Sequence, residues 1–123
     1  MAYEIPDQVI TLPATTGIPA FRFVNFNGSK LVLATSEGDF DGVTYESSTG
    51  STADRSVGII TQGVARVTAN GSTASAGDQI AVGPGGRAMA VAAGDYVVGK
   101  IIDGTSGSTG RVVTVLLKHT GTT

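Results

Sequence analysis

Residues 79–91 read QIAVGPGGRAMAV, two short apolar runs separated by a glycine-rich segment. The apolar runs 79–82 and 87–91 are too short for helices, and the residues between them, Gly83-Pro84-Gly85-Gly86, can only form a loop. Two short apolar runs on either side of such a loop are typical of paired β-strands. Comparable runs are found at residues 57–62, 64–69, 96–102 and 111–118. Strands that recur about every 10 residues predict a sandwich or a barrel.

The composition supports the same fold class. Among the 123 residues, valine and isoleucine total 22, whereas leucine (5), glutamate (3) and lysine (3) are scarce. The abundant residues fit a pleated surface, and the scarce ones are good helix formers. The chain is 41% hydrophobic and only 15% charged, which is unlike a disordered segment. We therefore predict an all-β fold, a compact antiparallel β-barrel or sandwich (β-tulip or jelly-roll-like), with an extended N-terminal arm.

The chain divides into an arm and one domain. Residues 1–16 form the arm, because Pro6 and Pro13 exclude a helix and hold the preceding residues in extended conformations. The arm carries more apolar side chains than a solvated tail needs, so it is expected to dock either on its own domain or on a neighbour. Residues 17–123 are predicted to form a single β domain. A long loop at 36–56 interrupts it, with room for a short strand at 42–46.

The pair Asn27-Gly28 predicts a β-hairpin, because both positions of a two-residue turn favour positive φ. Such a turn would pair Phe23 with Val32 and Val24 with Leu31. Both faces of this hairpin are apolar, so we expect it to be covered on two sides. The second cover is either an internal sheet or another subunit. If it is another subunit, the candidate interface residues are Val24, Phe26 and Leu31.

The residue pattern predicts neither an active site nor a metal or cofactor site. The chain has no cysteine and one histidine, which excludes thiolate chemistry and the usual structural zinc sites. His119 follows the last predicted strand and has no orienting partner in the sequence pattern. Asp39 and Asp41 lack the spaced acidic series and the closing glutamate of a calcium loop. We therefore expect a protein that is not an enzyme and that carries no cofactor.

Two aspartates occupy equivalent positions before strands. The sequences Ala76-Gly77-Asp78 and Ala93-Gly94-Asp95 each precede an apolar run. In such turns glycine supplies the left-handed conformation, and the aspartate side chain accepts nearby backbone N–H groups. We interpret both aspartates as turn residues rather than as catalytic carboxylates.

The distribution of charge and apolar residues leaves surface binding as the predicted activity. The net charge is −2, and the eight basic residues are spread singly, which argues against nucleic acid and against a membrane surface. No apolar run approaches the roughly 20 residues of a membrane span. An extended arm can instead add a strand to the edge of a partner's sheet. The arm residues predicted to contact that partner are Tyr3, Ile5, Val9, Ile10 and Leu12.

Four stretches in the second half carry a family resemblance. They are Gly63-Val64-Ala65-Arg66-Val67, Ala76-Gly77-Asp78-Gln79-Ile80, Gly94-Asp95-Tyr96-Val97-Val98-Gly99-Lys100-Ile101 and Gly110-Arg111-Val112-Val113-Thr114-Val115-Leu116. In this order, over residues 57–118, they resemble the small capsid decoration (cement) proteins of tailed bacteriophages. The resemblance implies a structural virion protein, assembled in the host cytoplasm, on the outside of the phage head. It further implies a homotrimer at three-fold or quasi-three-fold sites that binds the major capsid protein and stabilises the shell.

Two other classes remain open. The first is another non-enzymatic virion component, such as the base of a head fibre or a β module of the tail or baseplate. The second is a ligand-binding β module, which should gather aromatic side chains on one face. Aromatic residues make up only 6% of the chain and are scattered, which disfavours the second class.

Overall fold

A computed structural model of the chain describes residues 5–14, 17–35, 38–48, 55–105, 107 and 109–122. Within these residues it contains nine strands and one short 3-10 turn, Pro84–Gly86, and the predicted all-β class is confirmed. The strands are β1 (Ile5–Ala14), β2 (Phe23–Phe26), β3 (Leu31–Leu33), β4 (Gly42–Thr44), β5 (Arg55–Asn70), β6 (Gln79–Val82), β7 (Ala88–Ala90), β8 (Tyr96–Asp103) and β9 (Thr109–Thr122). The described residues include no helix long and apolar enough to cross a membrane.

The strands form one sheet that closes twice. Their order is β1-β3-β2-β4-β5-β7-β6-β8-β9, and the additional pairings β1–β5 and β5–β9 close it into two rings of five strands. We call β1, β3, β2, β4 and β5 the N-terminal ring, and β5, β7, β6, β8 and β9 the C-terminal ring. Each contains a parallel one-residue pairing, Ala14 with Leu31 in the first and Ala69 with Ala88 in the second. The predicted barrel is therefore present as two closed rings that share β5.

Strand β5 belongs to both rings because Gly63 lets it continue. The sequence predicted two short strands, at 57–62 and 64–69, whereas the structure has one strand of 16 residues. Gly63 has a φ of +104°, which a residue with a side chain rarely adopts. It pairs with Pro6, where the register between β1 and β5 shifts. The predicted break between the two runs is thus an irregularity inside a single strand.

The β2–β3 hairpin forms, but the predicted register is wrong. Val24 pairs with Leu33 and not with Leu31, which is a shift of two residues. Asn27 accounts for the shift, because its Oδ1 accepts the N–H of Lys30 at 2.9 Å and so stabilises a four-residue loop instead of a two-residue turn. Since side chains alternate with a period of two, the shift leaves every side chain on its predicted face.

Both faces of β2 are covered by the chain itself. Phe23 belongs to the large cluster and Val24 to the small cluster, as expected for neighbours that point to opposite sides of a strand. The small cluster comprises Ala14, Ile18, Val24, Leu31, Val57 and Ile59. The large cluster comprises Phe23, Ala34, Phe40, Val43, Ile60, Ala65, Val67, Ala74, Ile80, Val82, Ala88, Val98, Ile101, Val113, Val115 and Leu117. The expected two-sided cover is confirmed, and the second cover is internal.

The N-terminal segment is extended and lies on its own domain. Strand β1 pairs with β5 from Ile5, opposite Val64, to Ala14, opposite Arg55. Ala14 is fully buried, and Leu12 packs against the small cluster. Of the two expected docking modes, the structure therefore contains the one within the chain. The division into an arm at 1–16 and a domain at 17–123 stays a prediction.

Two further boundaries differ from the predicted ones. Strand β5 begins at Arg55, before the predicted loop at 36–56 was expected to end, whereas β4 lies where a short strand was expected inside that loop. Strand β9 continues to Thr122, past the predicted end at residue 118, because Tyr96 at the start of β8 pairs with Thr122. His119 is therefore part of a paired strand.

Candidate functional site

Asp78 and Asp95 stabilise two equivalent turns. Ser75 N donates to Asp78 Oδ2 at 3.0 Å, and Asp78 N donates back to Ser75 O at 3.0 Å. Ala92 N donates to Asp95 Oδ2 at 2.9 Å, and Asp95 N donates to Ala92 O at 3.1 Å. The predicted role of both aspartates as turn residues is confirmed, and their carboxylates serve the backbone.

Asp95→Ala should destabilise the chain more than Asp78→Ala, although each variant removes one hydrogen bond between a carboxylate and a backbone N–H. Asp95 is only 6% exposed and its bond with Ala92 N is partly buried, whereas Asp78 and its bond with Ser75 N are exposed, so water replaces the second bond more fully. We expect the free energy of unfolding to fall by about 2 kcal/mol in Asp95→Ala and by at most about 1 kcal/mol in Asp78→Ala. Urea unfolding of both variants measures the difference. Equal losses in the two variants would contradict the difference in burial between Asp95 and Asp78.

Two other carboxylates are also bonded to backbone groups. Phe26 N donates to Asp41 Oδ2 at 2.8 Å, and Gly58 N donates to Glu46 Oε2 at 2.7 Å. Across the described ranges, no three residues of the metal-ligating types lie close enough to hold an ion. Asp41 and Glu46 thus each stabilise the contact between a loop and a neighbouring strand.

A shallow depression beside the first of these turns carries no catalytic set. Its lining consists of Thr73, Ala74, Asp78, Gln79, Ala90 and Val91. Asp78 is the titratable side chain of this lining, and its carboxylate already accepts the N–H of Ser75. General acid–base chemistry needs a positioned proton donor or acceptor within reach of a substrate, and this lining offers none that is uncommitted.

The exposed large apolar side chains of the described residues lie on strands that pair with β5 or in contact with β5 itself. They are Val9 (42% exposed), Ile10 (39%), Tyr45 (37%) and Leu116 (37%), and we call them the β5-flanking surface. Val9 lies opposite Ile60 of β5, and the ring of Tyr45 lies over Gly58 of the same strand, so closely that a Cβ there would overlap it. Leu116 belongs to β9, which pairs with the second half of β5. Exposed apolar groups such as these are candidate contacts for a partner.

The residues predicted for partner contact fall in different environments. Tyr3 lies outside the described residues, and Ile5 begins β1. Val9 and Ile10 are exposed, as contact residues must be, whereas Leu12 is half-buried against the small cluster. Their role in capsid contact stays a prediction. Tyr45 and Leu116 are exposed as well, and nothing in the sequence local to them indicates it.

The residues predicted for a subunit interface lie mostly inside the chain. Val24 and Leu31 are fully buried in the small cluster, while Phe26 packs against that cluster and is partly exposed. Of the three, Phe26 has side-chain surface to offer a partner. An interface role for this set stays a prediction.

Comparison with known proteins shows what this architecture resembles. No family model and no curated protein matches the sequence. Among solved structures, the chain is similar to the N base of the head fibre gp8.5 of bacteriophage phi29, with a TM-score of 0.71 and 18% sequence identity. The similarity covers 93% of this chain and 98% of that chain. The two chains therefore share a fold over nearly their whole lengths.

Proposed function

We propose that this chain is a non-enzymatic structural protein of a tailed-phage virion and forms the base of a fibre on the outside of the phage head. The observation that carries this proposal is the shared fold with the N base of the phi29 head fibre, over 93% of this chain. The motifs at residues 57–118 that resemble capsid decoration proteins support the same setting, the outer surface of a tailed-phage head. Assembly in the host cytoplasm belongs to the proposal.

A fibre base is better supported than a decoration protein, because the structural likeness is to a fibre base and spans 98% of that chain. The two roles differ in whether the stability of the shell depends on this chain. A decoration protein stabilises the shell, whereas a base only anchors a fibre to it. Heads that lack this chain should therefore keep their thermal stability and lose their fibres. A fall of several degrees in the temperature at which heads disrupt would instead favour the decoration role.

The β5-flanking surface is the proposed contact with the major capsid protein. Its four side chains lie on β1, on β9 or beside β5, and the neighbours Val9 and Ile10 present both faces of β1 to a partner. Strand β1 adds a second means of attachment. Among the described residues its other edge is paired only at Ala14, with Leu31, so its remaining backbone groups on that side can accept a strand from a partner.

Replacing Val9 and Ile10 together by threonine should weaken binding to heads at least tenfold. Threonine keeps the β-branched shape that suits β1, and it removes apolar contact from two exposed positions. A tenfold loss corresponds to about 1.4 kcal/mol. Co-sedimentation of the purified double variant with fibreless heads measures the loss. The matched control is Val112→Thr on β9, outside the β5-flanking surface, which should bind as the unaltered chain does. Equal binding by all three proteins would contradict this surface.

The proposal includes a homotrimer. Three copies at a three-fold or quasi-three-fold site would match the symmetry of the shell and raise the effective concentration of each weak contact. Phe26, half-buried at the end of β2, is the proposed subunit contact. Light scattering should then give three times the chain mass of 12.3 kDa. A mass equal to one chain at high concentration would contradict a trimer that forms without the shell.

A further inference from the structure

Two arginines distant in sequence meet at one loop. Arg22 precedes β2, and Arg87 follows the Pro84–Gly86 turn. A methyl group placed at Gly85 would lie 3.6 Å from Nη1 of Arg22 and 3.7 Å from Nη1 of Arg87. The two guanidinium groups therefore face the same point of the loop, both on half-buried side chains.

Among the residues that the structure describes, these two positive charges have no acidic partner. Arg22 Nη1 donates to the carbonyl oxygen of Gly85 at 3.0 Å. The Nε atoms of Arg22 and Arg87 are buried without an acceptor, and neither side chain forms an ion pair within the described part of the chain. Burial, and secondly the charge of Arg87, lower the pKa of Arg22. Two like charges side by side are unfavourable unless an anion lies between them.

The backbone on either side of the pair is held firmly. Phe21 has a φ of +63°, which is unusual for a bulky residue and indicates a locally constrained backbone. Its N–H donates to Thr44 O at 2.7 Å, and its carbonyl accepts the N–H of Thr68 at 2.9 Å. Across the loop, Gly83 N donates to Arg87 O at 2.6 Å. Both arginines thus start from fixed backbone positions, which is the arrangement that a binding site requires.

We propose that Arg22 and Arg87 together bind one oxyanion at Gly85. The Nη groups of the two arginines that face Gly85 can each donate an N–H to one oxygen of the same carboxylate or phosphate. A nucleic acid is disfavoured, because its binding needs many phosphate contacts and this chain carries a net charge of −2 with scattered basic residues. The oxyanion is therefore a carboxylate side chain of a partner protein or a free phosphate ion. This inference does not depend on the proposed virion role.

The test observes the arginine side chains directly. In nitrogen-15 NMR spectra of the full chain at pH 7, the Nε–H signals of Arg22 and Arg87 are followed while acetate is added. A parallel titration uses inorganic phosphate, and sodium chloride keeps the ionic strength constant. Both signals should shift along saturable curves, whereas the signal of the exposed Arg111 should not. Saturation by acetate supports a protein carboxylate as the ligand, and saturation by phosphate alone supports a free phosphate ion. Shifts that are no larger than that of Arg111 with both anions would overturn the proposal.

A pair of variants separates binding from folding. Arg87→Gln should weaken the affinity for the anion at least tenfold, measured on the Arg22 signal. Without added anion its thermal midpoint should equal or exceed that of the unaltered chain, because a repulsive charge has been removed from beside Arg22. Arg111→Gln, the matched control, should leave the affinity unchanged. Unchanged affinity in Arg87→Gln would overturn the pairing of the two arginines.

Discussion

Phe23→Ala is expected to lower the free energy of unfolding by about 3–5 kcal/mol, the usual loss for a fully buried phenylalanine. Phe23 has no exposed surface and meets the ring of Phe40 edge to face, with ring centroids 5.2 Å apart and planes at 71°. It also places β2, a strand of the N-terminal ring, against the cluster that includes the buried side chains of the C-terminal ring. The truncation therefore leaves a cavity where the two rings meet.

Chemical denaturation followed by circular dichroism measures this loss, and Phe26→Ala provides the control on the same strand. Phe26 is only partly buried, against the small cluster, so its truncation should cost less than half as much. Equal losses in the two variants would mean that the large cluster does not join the rings as described. A loss below about 1 kcal/mol for Phe23→Ala would likewise contradict the role of the large cluster in joining the rings.

Gly86→Ala is expected to lower the free energy of unfolding by about 3 kcal/mol, from two separate causes. Gly86 has a φ of +74°, a conformation that costs alanine about 1 kcal/mol. In addition, a Cβ at this position would lie 2.6 Å from the carbonyl oxygen of Phe23, so the loop or β2 would have to move. Displacement of either one in a closed ring disturbs its neighbours.

The matched control for Gly86→Ala is Gly94→Ala. Gly94 has a φ of +90°, and no atom lies within 4 Å of the position that its Cβ would occupy. This control carries the conformational cost alone, about 1 kcal/mol. The difference between the two variants isolates the contact between the loop and β2. If both variants lose the same amount, the loop does not pack on β2 as the structure places it.

The positions of the strands could be predicted from the sequence, but the closure of the sheet could not. Short β-branched runs bounded by glycine indicate strands wherever they occur. Closure depends on single pairings such as Ala14 with Leu31, which join residues of no distinctive type. Gly63 illustrates the same limit. A glycine between two apolar runs predicts a break, whereas here it continues one strand through both rings.

The positions of the turns and the role of their aspartates could be predicted from the sequence, but the register of the hairpin could not. The aspartates of the two equivalent turns bond as their sequence pattern indicated, because that geometry is set within four residues. The register of the β2–β3 hairpin could not be predicted, because the side chain of Asn27 competes with the two-residue turn that Asn-Gly favours. Where a side chain offers the backbone a second set of bonds, sequence pattern alone does not decide between them.

The candidate sites depend on contacts between distant parts of the chain. Val9 and Ile10 were predicted as contact residues from the apolar character of the arm, and both are exposed. Tyr45 joins them only because it lies over Gly58. Arg22 and Arg87 appear in the sequence as isolated surface charges, and the packing of one loop beside β2 brings them together. Pairing of this kind leaves no local signal in the sequence.

Cryo-electron microscopy of intact virions, compared with virions from which the gene for this chain has been deleted, tests the proposed fibre base most directly. We expect density on the outer face of the head, at the foot of each fibre, into which the two fused rings fit with the β5-flanking surface towards the shell. In the deletion particles that density and its fibres should be missing from an otherwise unchanged shell. Identical maps from the two kinds of particle, or density lost from the tail instead, would contradict the account.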